Sequence, residues 1–150
     1  MMKNKLNIYI PPEGPPEERR PSKEIYAKMG EENIFNMIKD FYLRLEKSEI
    51  RSLFPLDMVE ASKKSALFFV FLLGGPPLYQ QKYGHPMMRQ RHMPFTIDEK
   101  ARLTWISCFS DSLDFAVKNY QFPKEHLDEC LTFINRFSKW MVNTKNESDL

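Results

Sequence analysis

The fold of this protein is decided by residues 73–95, which read LGGPPLYQQKYGHPMMRQRHMPF. Two glycines and two prolines at 74–77 end the helix before them, because glycine adopts left-handed backbone angles and proline cannot continue a helix. A short helical turn from about Met87 to His92 follows, and Pro94 ends it. Compact domains rarely carry so long an irregular connection unless something fills or orders it. The stretch therefore predicts a loop built around a ligand.

Apolar residues at helical spacing predict a helix on either side of this loop. The first runs from about Val59 to Leu73. The second begins at a capping box, in which Thr96 and Glu99 are expected to bond each other's free backbone N–H groups. The apolar residues of this second helix are Leu103, Trp105, Ile106, Phe109, Leu113 and Ala116.

Further helices are predicted towards both ends of the chain. Ser22 opens a short helix that stops near Gly30. The next helix has an apolar face made of Ile34, Ile38, Phe41, Tyr42 and Leu45. Pro123 suits the first position of the last helix. The apolar face of that helix is Leu127, Leu131, Ile134, Phe137 and Met141. No alternating strand pattern occurs, so the predicted fold class is all-α.

Residues 1–22 are predicted to be a proline-rich tail, and residues 23–150 a single folded domain. The prolines of the tail remove backbone donors and disfavour helix. Two arrangements fit this composition. The tail is loosely ordered, which we favour, or it lies across the domain. In the second case its anchors are Leu6, Ile8, Tyr9 and Ile10.

Composition excludes several classes of protein. Hydrophobic residues make up 42% of the 150 residues, which is enough for one buried core. The net charge is +2 and the basic residues are spread along the chain, so neither nucleic acid nor a membrane is an expected partner. The longest apolar run, 66–73, is far shorter than the roughly 18 residues of a membrane-spanning helix. With only Cys108 and Cys130 and no signal-like start, we expect a cytoplasmic protein.

His92 is the histidine whose surroundings indicate chemistry. It ends the short helical turn, and its neighbours are Met88, Arg89, Arg91 and Phe95. A haem iron takes a neutral imidazole between apolar walls, and haem propionates pair with cations such as arginine. The turn offers both, which makes His92 a candidate iron ligand. A surface histidine in a basic turn explains the same residues, and on the turn alone that is the simpler interpretation.

Tyr42 and Trp105 are core-facing aromatic residues that each carry a hydrogen-bond donor. A buried donor needs a partner, and a diatomic haem ligand with partial negative charge on its outer atom would accept from both. Ordinary core aromatics bonded to backbone carbonyls are the alternative. Other residues suit a flat macrocycle or its propionates, and equally suit a plain helical core or surface. They are Phe54, Phe68, Phe69, Leu72, Lys64 and Tyr79.

The remaining histidines are less suited to a site. His85, between a glycine and a proline, is expected to shape the loop, and His126 is expected on an exposed face. The chain has no Ser-His-Asp arrangement, no HExxH pair and no glycine loop with the lysine of a P-loop. No catalytic residue is therefore assigned.

Several segments occur in an order that closely resembles the truncated haemoglobins, specifically their second group. They are Phe41-Tyr42, Leu53-Phe54-Pro55, 73–79, 84–95, Trp105-Ile106-Ser107-Cys108 and Met141-Val142-Asn143. The resemblance covers about residues 23–144, and the loop with the basic turn is its most specific part. It implies a truncated globin, in which a two-over-two helical sandwich surrounds haem.

The resemblance implies a role for each candidate residue. His92 matches the iron ligand, and Tyr42 and Trp105 match the distal hydrogen-bond donors. Ala61 and Ser65 match positions of the distal helix that face the bound ligand. The implied cofactor contacts are Phe54, Lys64, Phe68, Tyr79, Met88, Arg91 and Phe95, with Lys64, Tyr79 and Arg91 near the propionates. Because Ala61 stands where full-length globins usually carry histidine, ligand support is expected from Tyr42 and Trp105.

The implied function is that of a haem b protein that reversibly binds dioxygen, nitric oxide, carbon monoxide or similar ligands. Two donors aimed at the ligand favour slow release. One alternative is a haem enzyme that dioxygenates nitric oxide or turns over peroxide, with an unidentified reductase as partner. A second alternative is a haem-free helical interaction module. We expect a monomer or a weak homodimer.

Overall fold

A computed structural model describes residues 8–16 and 20–145 of the chain. Within these residues the secondary structure is helical and no strand occurs, which confirms the predicted all-α class. The α-helices are α1 (Glu24–Glu46), α2 (Met58–Leu72), α3 (Leu78–Tyr83), α4 (Met88–His92), α5 (Glu99–Asn119) and α6 (Leu127–Met141). Short 3₁₀ turns cover Arg51–Leu53 and Lys124–His126. None of the described helices has both the length and the apolar character needed to cross a membrane.

The four long helices enclose one hydrophobic core. α1 packs against α2 and α5, and α6 packs against α5 and the short helix α4. Phe41 and Phe109 meet edge to face at the centre, with ring centroids 5.0 Å apart. Burying an aliphatic or aromatic side chain of this size contributes about 1.5–3 kcal/mol, so the core is the main source of stability. Fully buried members from each long helix include Ile38, Phe41, Val70, Leu113 and Ile134.

The first long helix is bent at Gly30, where the sequence predicts a helix end. Gly30 has φ 76° and ψ 168°, which are not helical angles, and the helix resumes after it. The predicted start is close to the observed one, since the Ser22 hydroxyl oxygen accepts from the Glu24 N–H at 3.2 Å. The short predicted helix and the longer one are thus joined across a kink.

The start of α5 differs from the predicted capping box. The helix begins at Glu99, and the carboxylate of Asp98 accepts a hydrogen bond from the Ala101 N–H at 2.8 Å. Thr96 lies before the helix and caps nothing in it. Aspartate is at least as good a cap as threonine, and the later start allows Glu99 to pair with Arg102 instead.

The loop after α2 is more regular than predicted. Residues 78–83 form helix α3, which Pro77 precedes and Gly84 ends. Proline is compatible with a helix start because the first backbone N–H groups need no partner inside the helix. The predicted turn before Pro94 is confirmed as the five-residue helix α4.

The described part of the tail lies across the domain, so the favoured expectation of a loosely ordered tail is wrong for these residues. The Tyr9 N–H donates to the Asn143 carbonyl at 2.8 Å. Pro11 and Pro21 are buried, whereas Ile10, an expected anchor, is 66% exposed. Leu6 falls outside the described residues. The boundary at residue 22 stays a prediction.

His126 does not lie on a freely exposed face, which corrects the sequence interpretation. Its imidazole Nε2 lies 2.8 Å from a Glu24 carboxylate oxygen, and its Nδ1 lies 3.1 Å from one of Glu129. The hydrogen bond with Glu24 is the main reason that the pKa of His126 is raised. The histidine therefore joins the start of α1 to the start of α6.

Replacing Gly74 by alanine should destabilise the fold. Gly74 has φ +109°, and a Cβ there would lie 2.5 Å from the Lys23 Cα, which is backbone and cannot swing away. Backbone strain and the clash together should lower the free energy of unfolding by about 2–4 kcal/mol in urea titrations. Gly84→Ala is the control, because Gly84 has φ +82° but its Cβ would meet nothing within 4 Å. Equal losses in the two variants would contradict the clash.

Candidate functional site

A cavity of about 340 Å³ lies between the helices, within the range of roughly 300–1,000 Å³ that is typical of ligand pockets. All six helices contribute side chains to its wall, and most of these are apolar. The residues to which the resemblance assigns a role all line this one cavity, whereas Leu72, also suggested for the macrocycle, does not. They are Tyr42, Phe54, Ala61, Lys64, Ser65, Phe68, Tyr79, Met88, Arg91, His92, Phe95 and Trp105.

The His92 imidazole is held in one orientation. Its Nδ1 lies 2.6 Å from the Met88 carbonyl oxygen. A carbonyl can only accept, so Nδ1 carries the proton and Nε2 keeps its lone pair. Burial is the main reason that the pKa of His92 is lowered, and the hydrogen bond to Met88 opposes this in part. At neutral pH His92 is therefore a neutral imidazole with one nitrogen available as a ligand, which is the form that iron binds.

Arg91 fixes helix α4 to the preceding loop. Its guanidinium donates to the carbonyls of Pro86, His85 and Tyr83 at 2.6, 2.8 and 3.0 Å. These bonds occupy much of the donor capacity that the resemblance assigns to a propionate. Arg91 also lines the cavity, so its charge stays beside the mouth even though its hydrogen bonds serve the loop.

Arg89 does not lie on the cavity wall, although the sequence placed it beside the expected cofactor. Its guanidinium donates to the Val142 carbonyl at 2.7 Å and the Tyr9 carbonyl at 2.8 Å, and also to Trp140. Burial lowers its pKa. Arg89 therefore serves the fold around α4.

Tyr42 and Trp105 place polar hydrogens on an otherwise apolar part of the wall. The Tyr42 ring meets Phe54 edge to face at 5.7 Å, and Trp105 stacks on Phe109 at 5.5 Å. Burial raises the pKa of Tyr42, and a hydrogen bond with Ser65 offsets part of that rise. The Trp105 indole N–H makes no hydrogen bond to any residue that the structure describes. Both groups keep their protons at neutral pH and can donate into the cavity.

The mouth of the cavity carries cations and aromatic rings. Lys64 Nζ lies 4.7 Å from the centroid of the Tyr83 ring, and the Arg91 guanidinium carbon lies 5.5 Å from that of Tyr79. Tyr79 is buried, and burial is the main reason that its pKa is raised. Lys64 and Arg91 together suit a ligand with carboxylates at one edge.

The sequence missed Arg102, which lies in the wall between α5 and α6. This arginine is only 6% exposed, and it pairs with both carboxylate oxygens of Glu99, at 2.8 and 2.5 Å. It also donates to Asn135 at 2.9 Å and to Ser138 at 3.3 Å. The spacing of three residues between Glu99 and Arg102 signals a helical ion pair, but spacing does not tell which pairs are buried. Other wall residues that were not predicted are Ile50, Leu53, Pro55, Ile97, Ala101, Phe137, Ser138 and Met141, whereas Phe69, suggested for the macrocycle, does line the cavity.

The residues present fit a haem. A flat apolar macrocycle needs an enclosed wall of aromatic and aliphatic side chains, and the cavity provides one. An iron atom needs a neutral imidazole, which His92 provides. Propionates need cations at the mouth, where Lys64 and Arg91 lie.

Comparisons with known proteins agree on one family. Residues 24–143 match the family described as bacterial-like globin. The chain is 39% identical over 90 residues to a group 2 truncated haemoglobin of Bacillus subtilis, which covers 59% of this chain and 68% of that protein. It is 34% identical over 97 residues to two-on-two hemoglobin-3 of Arabidopsis thaliana. That match covers 62% of this chain and only 55% of the plant protein.

Solved structures give the same result. Phosphate-bound Hell's gate globin IV superposes with a TM-score of 0.79 at 39% identity, covering 87% of this chain and 81% of that one. The truncated oxygen-avid haemoglobin of Bacillus subtilis superposes with a TM-score of 0.72 at 33% identity. This second match covers 79% of this chain and 98% of that one.

Replacing Glu99 by glutamine should destabilise the cavity wall, because it leaves the buried Arg102 charge without its counter-ion. The expected loss at pH 7 is about 1–3 kcal/mol, at the low end for a buried pair since Glu99 is 44% exposed and partly screened. The pairing with Arg102 lowers the pKa of Glu99. The Glu99–Arg102 pair therefore stabilises the fold at pH values above the pKa that Glu99 has in the unfolded chain. This stabilisation is lost as the pH falls through the lower pKa that Glu99 has in the folded chain.

Urea titrations of wild type and Glu99→Gln between pH 7 and pH 3 test this expectation. The difference in unfolding free energy should shrink towards acid pH. Glu60→Gln is the matched control, because Glu60 and Lys63 form an exposed pair with 3.8 Å between charged atoms. That variant should change stability by less than about 0.5 kcal/mol. A difference for Glu99→Gln that does not depend on pH would refute the ion-pair explanation.

Proposed function

We propose that this chain, which belongs to the bacterial-like globin family and is a group II truncated haemoglobin, binds one haem b through His92 and reversibly holds dioxygen. The single observation that carries this proposal is the orientation of the His92 ring. Its Nδ1 hydrogen bond to the Met88 carbonyl leaves Nε2 as a free lone pair on the wall of an apolar cavity. When bound, the haem supplies an iron atom with one open position for a small diatomic ligand.

Different side chains around the cavity contact different parts of the cofactor. Phe54, Phe68, Met88 and Phe95 give the macrocycle apolar contacts. Lys64 at the mouth pairs with a propionate, and Arg91 adds positive charge nearby. A cofactor held in this way is shielded from water on its faces and neutralised at its edge. Ser65 and Ala61 leave the ligand side of the cavity lined by small groups.

Tyr42 and Trp105 hold the ligand. The phenol and the indole N–H both donate hydrogen bonds, and the outer atom of a polar diatomic ligand accepts them. The Ser65 side chain lies beside the Tyr42 hydroxyl. Each hydrogen bond to a charge-polarised partner contributes about 1.5–3 kcal/mol, and about 1.4 kcal/mol corresponds to a tenfold change in a rate or an affinity. The proposed result is slow release, as expected of a relative of an oxygen-avid haemoglobin.

The location proposed for this activity is the cytoplasm. Cys108 and Cys130 are both free thiols, and free thiols persist in a reducing compartment.

Replacing His92 by alanine should abolish haem retention. The purified wild-type chain, expressed with added haem, should show a Soret band that stays with the protein during gel filtration. His92→Ala removes the iron ligand, so this band should be lost or strongly reduced. His85→Ala is the control, because His85 is an exposed loop histidine and its loss should leave the spectrum unchanged. A normal spectrum and normal haem retention in His92→Ala would refute the assignment.

Removing the two donors should speed ligand release. Tyr42→Phe combined with Trp105→Phe deletes both hydrogen bonds while keeping aromatic packing, so the rate of dioxygen release should rise at least about tenfold in stopped-flow measurements. Tyr26→Phe removes a hydroxyl from a residue that is not part of the cavity wall and should leave the rate unchanged. If the double variant releases dioxygen at the wild-type rate, the donors do not hold the ligand.

A further inference from the structure

Asn143 links the two ends of the connection between α4 and α5. This residue follows α6 and is fully buried. Its side-chain amide donates to the carbonyls of His92 at 3.3 Å and of Phe95 at 3.1 Å. Its side-chain oxygen accepts from the Ile97 N–H at 3.0 Å. One buried amide therefore holds the end of the helix that carries the candidate iron ligand.

Tyr9 joins the same network through its backbone. The Tyr9 N–H donates to the Asn143 carbonyl at 2.8 Å, and the Tyr9 carbonyl accepts from the Arg89 guanidinium at 2.8 Å. Arg89 is itself a residue of α4 and also donates to the Val142 carbonyl at 2.7 Å. Its guanidinium lies 4.6 Å from the centroid of the Trp140 ring. The segment around Tyr9 thus contacts α4 directly and also the residue that ties α4 to α6.

Helix α4 cannot hold its position by local interactions alone. It has five residues and no side-chain N-cap, and helices far longer than this are marginal in isolation. Met87, which precedes it, has left-handed angles of φ 42° and ψ 51°, which are unfavourable for a residue with a side chain. The position of the His92 ring therefore depends on contacts made from outside the helix.

We propose that the segment around Tyr9, with Arg89 and Asn143, forms a strap that positions α4 and thereby the His92 imidazole. Arg89 and Asn143 are positioning residues, since they act on the iron ligand through backbone carbonyls. The strap's effect on α4 stands on the contacts above. Its effect on haem rests on the proposed function of His92.

Removing the Tyr9 backbone N–H in the full chain tests whether the strap holds α4. Tyr9→Pro removes the N–H that donates to Asn143, whereas Tyr9→Ala keeps it, and both variants lose the tyrosine ring. Hydrogen exchange is measured at the amides of Arg91 and Met93, which bond within the α4 segment to Met87 and Gln90 carbonyls. These amides should exchange about fivefold faster in Tyr9→Pro than in Tyr9→Ala, while α1 and α2 amides exchange equally in both.

The same two variants with haem bound test the link to His92. Transfer of haem to an excess of a haem-free acceptor globin should be about fivefold faster from Tyr9→Pro, and its iron–histidine stretching band should shift or broaden. Equal exchange at α4 in the two variants would overturn the strap. Faster exchange with unchanged haem transfer and an unchanged band would overturn its positioning role.

The strap can still be tested if Tyr9→Pro does not fold or if the chain takes up no haem. If Tyr9→Pro unfolds, every amide accelerates, and Arg89→Lys then serves instead, because lysine keeps the charge but cannot reach all three carbonyls. Arg89→Lys should accelerate exchange at α4 alone, and exchange equal to wild type would overturn the strap. If the wild-type chain takes up no haem, the proposed function fails, whereas the exchange comparison still decides whether the strap holds α4.

Discussion

The candidate site depends on the anchoring of a five-residue helix that is too short to be stable by itself. Helix α4 presents His92 to the cavity, and its internal hydrogen bond from His92 to the Met88 carbonyl sets the orientation of the ring. The helix is held from three directions. Arg91 binds the carbonyls of the loop before it, Arg89 binds the end of α6 and the tail, and Asn143 binds the carbonyls after it. Each anchor joins a side-chain donor to a backbone carbonyl, so unpaired polar groups of irregular backbone become structural contacts.

The cavity combines an apolar interior with polar groups of different kinds at different places. His92 is neutral because burial penalises its charged form, and its hydrogen bond leaves one nitrogen as a lone pair. Tyr42 and Trp105 contribute donors without charge. Among the residues that the structure describes, Arg102 is the one buried cation in the wall between α5 and α6. It is paired with Glu99. The other cations that line the cavity, Lys64 and Arg91, lie at its mouth, where they would meet the carboxylates of a cofactor. This division keeps the interior suitable for a neutral macrocycle and a small polar ligand.

Much of the fold and of the composition of the cavity could be predicted from the sequence. The features that were predicted wrongly or not at all depend on contacts between distant parts of the chain. The helical spacing of Ile34, Ile38 and Phe41 identified a buried face, since burial imposes a period of 3.6 residues. Asp98 replaced Thr96 as the cap of α5 because two acceptors compete within three residues, and tertiary contacts at Ile97 and Asn143 decide between them. Arg102 was missed because nothing local distinguishes a buried arginine from an exposed one.

The amino-acid sequence by itself determined the all-α class, most of the helices, the family resemblance and, through that resemblance, many of the residues that line the cavity, because periodicity, breakers and motif order are local properties of the chain. Only the tertiary structure decided how those residues are held. Hydrogen bonds that join Tyr9 to Asn143 and Arg89 to Val142 connect segments far apart in sequence. Whether a buried carbonyl meets a donor depends on how helices pack in three dimensions, and no local pattern records that packing. The tail therefore looked unstructured as a string of prolines, while in space its backbone completes the support of the helix that carries His92.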